Sequence, residues 1–355
     1  MKKLRQKLTP LLFFLFCLSQ NYACKYSTKN NPATVSQIEK IESILSTISE
    51  KKNAYTKGMI WINGGAFDMG CKDCKMPDAL PLHRVQVSGF WMDETPVTNK
   101  EFMKFVEETG YKTVAEQLLS QEEFPELAKE DLGPGSAVFV SPSSSVDLNN
   151  PTDWWRFVLG ANWCHPEGEG SNIINRFDHP VVHICYQDAL AFCKWAGKRL
   201  PTEAEFEFAA KGGQSTIFPW GNELKPKGKW AANIWQGQFP NKNKMEDGFK
   251  STSPVKTFPP NPYGLYDMGG NVWQWCSDWY SADYYDELKE AGGTALNPTG
   301  PGESYDPNDP NLQKKVQKGG SFLCSDQYCT RYFLGSRGKG EIFSASSNLG
   351  FRCVK

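Results

Sequence analysis

The 355-residue sequence contains no apolar run long enough to form a membrane-spanning helix. Its longest uninterrupted apolar segment, residues 11–18, has eight residues, whereas crossing a bilayer takes about 20. Lysine and arginine form no basic patch beyond the N-terminus, which argues against nucleic acid as a partner. No internal repeat of about 20–50 residues is present either, and this excludes solenoids and propellers.

The first 23 residues have the pattern of an export signal. Four basic residues precede the apolar segment, namely Lys2, Lys3, Arg5 and Lys7. Removing such a signal would lower the formal net charge from −1 to about −5. Cleavage after Ala23 would place Cys24 first, where a bacterial lipoprotein carries its acyl chains, although Asn21 fits that cleavage poorly. We therefore expect an exported bacterial protein, periplasmic or at the outer membrane or cell surface, with lipid attachment at Cys24 left open.

The composition predicts an irregular α+β domain over residues 57–355. Residues 24–56 are mostly polar and predict a tether with one weak helix at 38–48. The chain has 31 Gly and 23 Pro beside 22 Phe, 13 Tyr and 12 Trp. This balance favours a loop-rich fold held together by aromatic packing over a helix bundle. About 300 residues are enough for one domain with a large core.

Local patterns predict a few short elements within this domain. Thr98 and Thr202 each stand three residues before a glutamate, which is the pattern of a capping box at a helix start. Gly110 is expected to end the first of these helices. A further helix is expected over residues 189–195, and strands over 59–62 and 85–92. After residue 215 no periodicity persists, which predicts coil and short strands.

The chain has 11 cysteines, two of which fall in the signal or at its end. In an oxidising exported compartment the default state of the other nine is a disulfide. Nine is odd, so at least one stays free, pairs between chains or takes part in chemistry. Cys71 and Cys74 are expected to form a local disulfide, because the thioredoxin-like context of a redox pair is missing. Three others have no assigned partner: Cys164, Cys185 and Cys276.

The most distinctive segment lies at residues 319–329. Cys324 and Cys329 follow Gly319 and Gly320, which allow a tight backbone turn. The two sulfurs can therefore meet, either as a structural disulfide or as ligands of a soft ion, and Cu(I) accepts just two sulfurs. Zinc is disfavoured, because a structural zinc site takes four ligands.

Several long motifs resemble the formylglycine-generating enzymes, also called sulfatase-modifying factors. The resemblance covers essentially all of residues 57–355. Its motifs are Met59–Gly70, His179–Val182, Trp195–Glu207, Asn233–Gly237, Asn261–Tyr266, Gly270–Trp273, Gly319–Cys329, Arg331–Tyr332, Arg337 and Asn348–Cys353.

The resemblance implies a fold of low regular content, distantly related to C-type lectins, and a thiol oxidase activity. The implied client is a sulfatase with a Cys-x-Pro-x-Arg motif, whose cysteine becomes formylglycine. Cys324 and Cys329 match the two active-site cysteines, which in the family hold Cu(I), and dioxygen is the co-substrate. The open alternative is a non-catalytic surface lipoprotein of the same fold, in which these cysteines form only a disulfide.

The resemblance also assigns further residues to the site and to structural metal ions. Around the copper or the client it places Ser321, Tyr328, Trp273, Asn348 and Arg337. One implied calcium site consists of Asn233, Ile234, Asp247 and Phe249. A second consists of Asp267, Gly270, Val272 and Gln274. Glutamate is the family residue at position 274, so the second site is expected to be weaker.

Two further expectations come from the resemblance. Cys193 and Cys353 match a family disulfide, and Ala210 and Leu334 stand where a second family disulfide is missing. Two residues depart from the family pattern beside the cysteine pair. Ser325 stands where histidine is frequent, and Phe333 where arginine is common.

Overall fold

The computed structural model describes residues 56–72, 74, 76–118 and 132–355. The expected signal at 1–23, the helix at 38–48, Cys24 and nearly all of the tether lie outside these residues. From Gly58 to Lys355 the chain forms one compact unit. Within the described ranges, no helix combines the length and apolarity that crossing a membrane requires.

Regular elements are short and few in the described part of the chain. Its α-helices are α1 (Asn99–Thr109), α2 (Tyr186–Trp195), α3 (Glu203–Lys211) and α4 (Tyr284–Ala291). Its strands are β1 (Met59–Ile62), β2 (Gly65–Met69), β3 (His83–Val87), β4 (Phe90–Asp93), β5 (Gly135–Phe139), β6 (Trp155–Leu159), β7 (Gly237–Gln238), β8 (Lys242–Asn243), β9 (Trp273–Trp279), β10 (Thr294–Leu296), β11 (Lys314–Lys318), β12 (Gly338–Glu341) and β13 (Leu349–Gly350). This content confirms the expected irregular α+β fold.

The strands form small sheets, and the largest has the order β12-β11-β9-β13. In it β11 is antiparallel to both neighbours, whereas β13 is parallel to β9. A second sheet has the order β10-β3-β2, and three further pairs are β1-β4, β5-β6 and β7-β8. The largest sheet contributes Cys276 and Val316 to one hydrophobic cluster, and the second sheet contributes Phe67 and Val85 to the same cluster. Helix α3 also packs there.

The last residues of the chain close the β1-β4 pair. The Trp91 and Lys355 backbones exchange two hydrogen bonds of 2.9 and 2.8 Å, and the Asp93 amide donates to the Cys353 carbonyl. Val354 also bridges to Arg199, just before α3. Residues near 92, 199 and 354 therefore form one continuous backbone network.

The predicted capping boxes are confirmed at both helices. The Thr98 hydroxyl accepts from the Glu101 amide, and the Glu101 carboxylate accepts from the Thr98 amide. Gly110 ends α1 in the left-handed conformation, at φ 67°. The same reciprocal bonds begin α3 at Thr202.

Three predictions of local structure need correction. Helix α2 begins at Tyr186, before the predicted residue 189, because the Asp188 carboxylate accepts from the Cys185 amide and caps an earlier turn. The strand predicted over residues 85–92 is divided into β3 and β4, which belong to different sheets. A Cβ at Gly89, between them, would lie 2.6 Å from the Trp61 ring. The region after residue 215 also contains α4, whose Tyr285 is fully buried.

Four charged side chains are buried together beside α3: Glu203 and Glu207 from the helix, Lys318 from β11, and Arg337 from just before β12. Arg337 Nε donates to Glu203 Oε1 over 2.8 Å, and Lys318 Nζ donates to Glu207 Oε2 over 3.0 Å. Burial alone would raise the pKa of Glu203, but Arg337 and Lys318 outweigh this effect and lower it. We call this group the buried charge cluster.

The structure resolves part of the cysteine pairing. Cys71 and Cys74 form the expected local disulfide. Cys193 and Cys353 are neighbours as predicted, with sulfurs 3.3 Å apart, but they are thiols here and not a disulfide. The three cysteines whose pairing was open are also thiols in the described chain: Cys164, Cys185 and Cys276.

Arg337→Met should lower the free energy of unfolding by about 3–5 kcal/mol, because it leaves Glu203 buried with an incomplete set of partners. Arg84→Gln is the matched control, since Arg84 pairs with Asp68 at the surface and such pairs contribute about 0–1 kcal/mol. Urea denaturation followed by fluorescence measures both values. Equal losses in the two variants would contradict a structural role for the buried charge cluster.

Candidate active site

The cysteine pair lies in a loop that begins directly after β11. Gly319 and Gly320 have φ values of 91° and 69°, which few other residues adopt. A Cβ at Gly320 would approach the returning chain within 2.9 Å of the Tyr332 amide nitrogen. Cys324 and Cys329 then come together with Cα atoms 4.6 Å apart, and their sulfurs are bonded. The predicted meeting of these two residues is confirmed.

A short polar network fixes the turn on the Cys324 side. The Ser321 amide lies 3.4 Å from Cys324 Sγ, within donating distance. The Ser321 hydroxyl in turn accepts from the Asn348 side-chain amide over 2.9 Å. Trp273 joins this group, because its amide donates to the Asn348 carbonyl and its ring packs against the cluster that contains Cys324. Ser321, Asn348 and Trp273 are thus gathered around Cys324.

Ser325 shapes the chain between the two cysteines. Its side chain is buried, and its hydroxyl accepts from the Gln327 and Tyr328 amides over 3.3 and 3.2 Å. The Cys329 amide donates to the Ser325 carbonyl. The serine that departs from the family pattern therefore acts as a local cap that holds Cys329 opposite Cys324.

An aromatic wall of Trp154, Phe239 and Tyr328 stands beside Cys329. The Tyr328 ring stacks on Phe239, with centroids 4.7 Å apart, and meets Trp154 edge-on at 5.3 Å. Trp154 and Phe239 are buried, whereas Tyr328 remains 43 % exposed, so Tyr328 is the member of the wall that faces solvent. Gln327 ties the wall to the loop, because its Oε1 accepts from the Phe239 amide.

The sequence interpretation included Tyr328 but missed Trp154 and Phe239. Both lie in segments without periodicity or a recognised motif, and they reach Tyr328 only through the tertiary fold. The one available signal was a pair of adjacent tryptophans, Trp154 and Trp155, in a region rich in polar residues. Such a pair favours a packed or functional position but does not identify its partner.

Arg337 does not join the cysteine pair. Its guanidinium is fully buried and donates to Glu203 and to the carbonyls of Asp78 and Ser281. It also lies over the Tyr285 ring, 4.2 Å from the centroid. The structure therefore places this predicted site residue in the buried charge cluster, where its contacts are structural.

The first predicted calcium set is assembled around Asp247. Its carboxylate accepts from the amides of Ile234 and Phe249 over 3.2 and 3.0 Å, and Asn233 precedes Ile234 in the chain. Burial raises the pKa of Asp247, and no lysine or arginine of the described residues forms a salt bridge with it. This half-buried carboxylate is an oxygen ligand of the kind that Ca²⁺ prefers, whereas the Ile234 carbonyl already accepts from Gln236 Nε2.

The second predicted calcium set does not fit the ion equally well. The Gln274 oxygen accepts from Arg352 Nε over 2.5 Å, and the Gln274 nitrogen donates to the Asp267 carbonyl. Arg352 is fully buried and also donates to that carbonyl. The Arg352 guanidinium and the Gln274 amide thus share the Asp267 backbone carbonyl. Because Gln274 is neutral, it adds no charged ligand to the carbonyl oxygens of Gly270 and Val272.

The donor set at the cysteine pair suits a soft ion of low coordination number. Cys324 and Cys329 offer two sulfurs, and the described residues contain no group of three or more His, Cys, Asp or Glu arranged to hold a metal. Metals that need three or four such ligands therefore have no site there, whereas Cu(I) binds two thiolates.

Comparisons with known proteins identify related chains. A family model described as "Sulfatase-modifying factor enzyme 1-like domain" matches residues 45–355. The chain is 45 % identical to the formylglycine-generating enzyme of Bos taurus, over 83 % of this chain and 74 % of that one. It is 43 % identical to that of Streptomyces coelicolor, over 84 % and 89 %. The solved structure of PvdO from Pseudomonas aeruginosa has a similar fold, with TM-score 0.56, 22 % identity and coverage of 83 % and 93 %.

In the reduced protein, Cys329 should be alkylated before Cys324. Cys329 is half-buried, whereas Cys324 is 1 % exposed, and access limits the reaction of a thiol. Brief treatment with iodoacetamide followed by peptide mass spectrometry measures the order. The fully buried Cys276 is the internal control and should stay unlabelled. Labelling of Cys324 first would show that the site opens on the opposite side.

Proposed function

The chain belongs to the formylglycine-generating, sulfatase-modifying factor family and is an enzyme of sulfatase maturation, and we propose that it uses copper and dioxygen to convert a client cysteine into formylglycine. The observation that carries the proposal is the pairing of Cys324 with Cys329 in a turn that exposes only one of them. The proposed client segment is Cys-x-Pro-x-Arg in an exported sulfatase.

Cys324 and Cys329, in their reduced form, are the proposed ligands of Cu(I). The ion would supply the one-electron and oxygen chemistry that side chains cannot perform. Ser321 and Ser325 hold the two ends of the turn through backbone hydrogen bonds. They keep the sulfurs facing each other, and this preorganisation lowers the cost of forming the site.

The aromatic wall gives the client a place to bind next to Cys329. A client peptide that packs on Tyr328 would approach from the exposed side and bring its own thiol toward Cys329. Trp154 and Phe239 support the ring from behind and exclude water from that side. Asn348, through Ser321, keeps the Cys324 side closed.

Two further proposals concern the setting of the enzyme. Residues 1–23 place basic residues before an apolar segment, which supports export to the periplasm or cell surface. A lipid on Cys24 would anchor the exported protein to the membrane. The oxygen ligands around Asp247 support one structural Ca²⁺ site. The Asp267 set supports a weaker site, because Gln274 brings no charge to it and the Gln274 oxygen accepts from Arg352.

The central test is mass spectrometry of a Cys-x-Pro-x-Arg peptide incubated with copper-loaded protein, a reductant and oxygen. Exchange of the thiol for an aldehyde lowers the peptide mass by about 18 Da. Cys329→Ser should abolish turnover and leave the fold intact, since Cys329 is half-buried at the surface. Cys164→Ser, which removes another half-buried thiol, should keep full activity. Wild-type turnover in Cys329→Ser would refute the mechanism.

Calcium removal should lower stability through Asp247. At a free concentration of about 100 times the dissociation constant, bound Ca²⁺ would add about 2.7 kcal/mol to the free energy of unfolding. Thermal unfolding with calcium and with a chelator measures this difference. Asp247→Asn should lose it, and Asp68→Asn, a surface control, should retain it. A chelator effect that persists in Asp247→Asn would place the ion elsewhere.

A further inference from the structure

The outer strand of the β5-β6 pair presents an unpaired backbone edge. The Val140 amide donates to the Trp154 carbonyl at one end of the pair, and the Gly160 amide donates to the Pro134 carbonyl at the other. Backbone bonds between antiparallel strands occur at every second residue, so the backbone groups of the alternate residues of β6 point away from β5. We call this row the β6 edge, and it consists of Trp155, Phe157 and Leu159.

The centre of the β6 edge has no partner in the described part of the chain. The Phe157 amide and carbonyl form no hydrogen bond with any described residue, and neither does the Leu159 amide. Strand β5 is closed on its other side, because the Ala137 amide donates to the Ala345 carbonyl and the Ala137 carbonyl accepts from the Ser347 amide. A free row of amides and carbonyls is a template for another strand.

The side chains of the β6 edge form an apolar face. Phe157 is 52 % exposed and Leu159 is 48 % exposed. Both lie over glycines, since a Cβ at Gly135 would be 2.8 Å from the Phe157 ring and one at Gly133 would be 2.9 Å from Leu159 Cδ2. Proteins usually protect an exposed strand edge with lysine, proline or a bulge. An apolar face on an unprotected edge indicates a surface that another polypeptide covers.

The β6 edge is continuous with the aromatic wall beside Cys329. Trp154, a member of that wall, directly precedes β6 in the chain. The Trp155 ring meets Phe139 edge-on, with centroids 6.1 Å apart, and Phe139 stacks on Phe239 of the wall at 6.0 Å. From Trp155 onward the edge extends for about 13 Å. A polypeptide that packs on the wall can therefore continue along β6.

We propose that the β6 edge binds the client polypeptide as an added strand, through the segment that flanks the reactive cysteine. The inference rests on the proposed function, which places the client against the aromatic wall. A client residue opposite Phe157 would exchange two backbone hydrogen bonds with it. Pairing of this kind holds a flanking segment largely through its main chain, which suits clients that share only a short motif. Continuity with the wall favours the client over a second copy of this chain.

The test measures binding without turnover. The probe is a fluorescent client peptide in which serine replaces the reactive cysteine. A short form contains the motif alone, and two long forms add about six alternating Val and Thr residues, enough to span the edge, before or after it. With the wild-type protein, fluorescence anisotropy should give a Kd about tenfold lower for one of the long forms, because that flank adds backbone hydrogen bonds.

Two series of changes identify the added strand. Methylating alternate backbone nitrogens of that flank should abolish the gain in one register and keep it in the other, because only alternate residues of an added strand bond to β6. Phe157→Pro should also abolish the gain, since proline has no N–H. Phe157→Val is the matched control, because it loses the ring but keeps the N–H, and it should keep most of the gain. Proline is tolerated where a strand's N–H faces solvent, and circular dichroism checks the fold of both variants.

Equal affinity of the wild type for the short form and both long forms would overturn the proposal. A gain that survives in Phe157→Pro would overturn it too. Light scattering that shows a wild-type dimer, converted to a monomer by Phe157→Pro, would assign the β6 edge to a second copy and refute the client as its occupant. The serine peptide is not a substrate, so a failure here is distinct from a failure to oxidise the cysteine peptide.

Discussion

Two glutamates one turn apart on α3 hold both ends of the loop that carries the cysteine pair. Lys318 immediately precedes that loop and Arg337 closely follows it, and both cations bind Glu203. Glu207 binds Lys318 as well and also accepts from the Gly70 amide, beside the local disulfide. Because these charges are buried, the cost of removing each from water is offset only by its oppositely charged partners. The turn around Cys324 can be irregular because its two ends are fixed to a rigid helix.

The sequence predicted the features that depend on neighbouring residues. Thr98 and Thr202 cap their helices through bonds within three residues, and Cys324 meets Cys329 within a single turn. The buried charge cluster could not be predicted in this way, because Glu203 and Arg337 are 134 residues apart. Glutamates four apart on a helix ordinarily indicate a solvated face. Arg337 was expected near the cysteines for the same reason. Its motif shows that it is close to them in sequence, but not that its guanidinium pairs with Glu203.

The two implied calcium sets differ in the partners of their side chains. Asp247 keeps a half-buried carboxylate that forms no salt bridge with a cationic side chain of the described residues, and partial burial raises its pKa. At the other set, the Gln274 oxygen accepts a hydrogen bond from Arg352, and the Gln274 nitrogen donates one to the Asp267 carbonyl. The guanidinium thereby satisfies the backbone carbonyls of Tyr266 and Asp267. Arg352 thus helps to stabilise the loop that carries the second implied set.

The pairing of Trp91 with Lys355 has a consequence for how the domain folds. The β1-β4 pair joins residues that are close in sequence, but the backbone groups of β4 that face Val354 stay unsatisfied until residues 353–355 pack against them. Contacts between distant residues form slowly, because a long loop must close first. The domain therefore cannot complete its fold one segment at a time, and β4 presents an open strand edge until this contact forms. An open strand edge is a template for pairing with another chain.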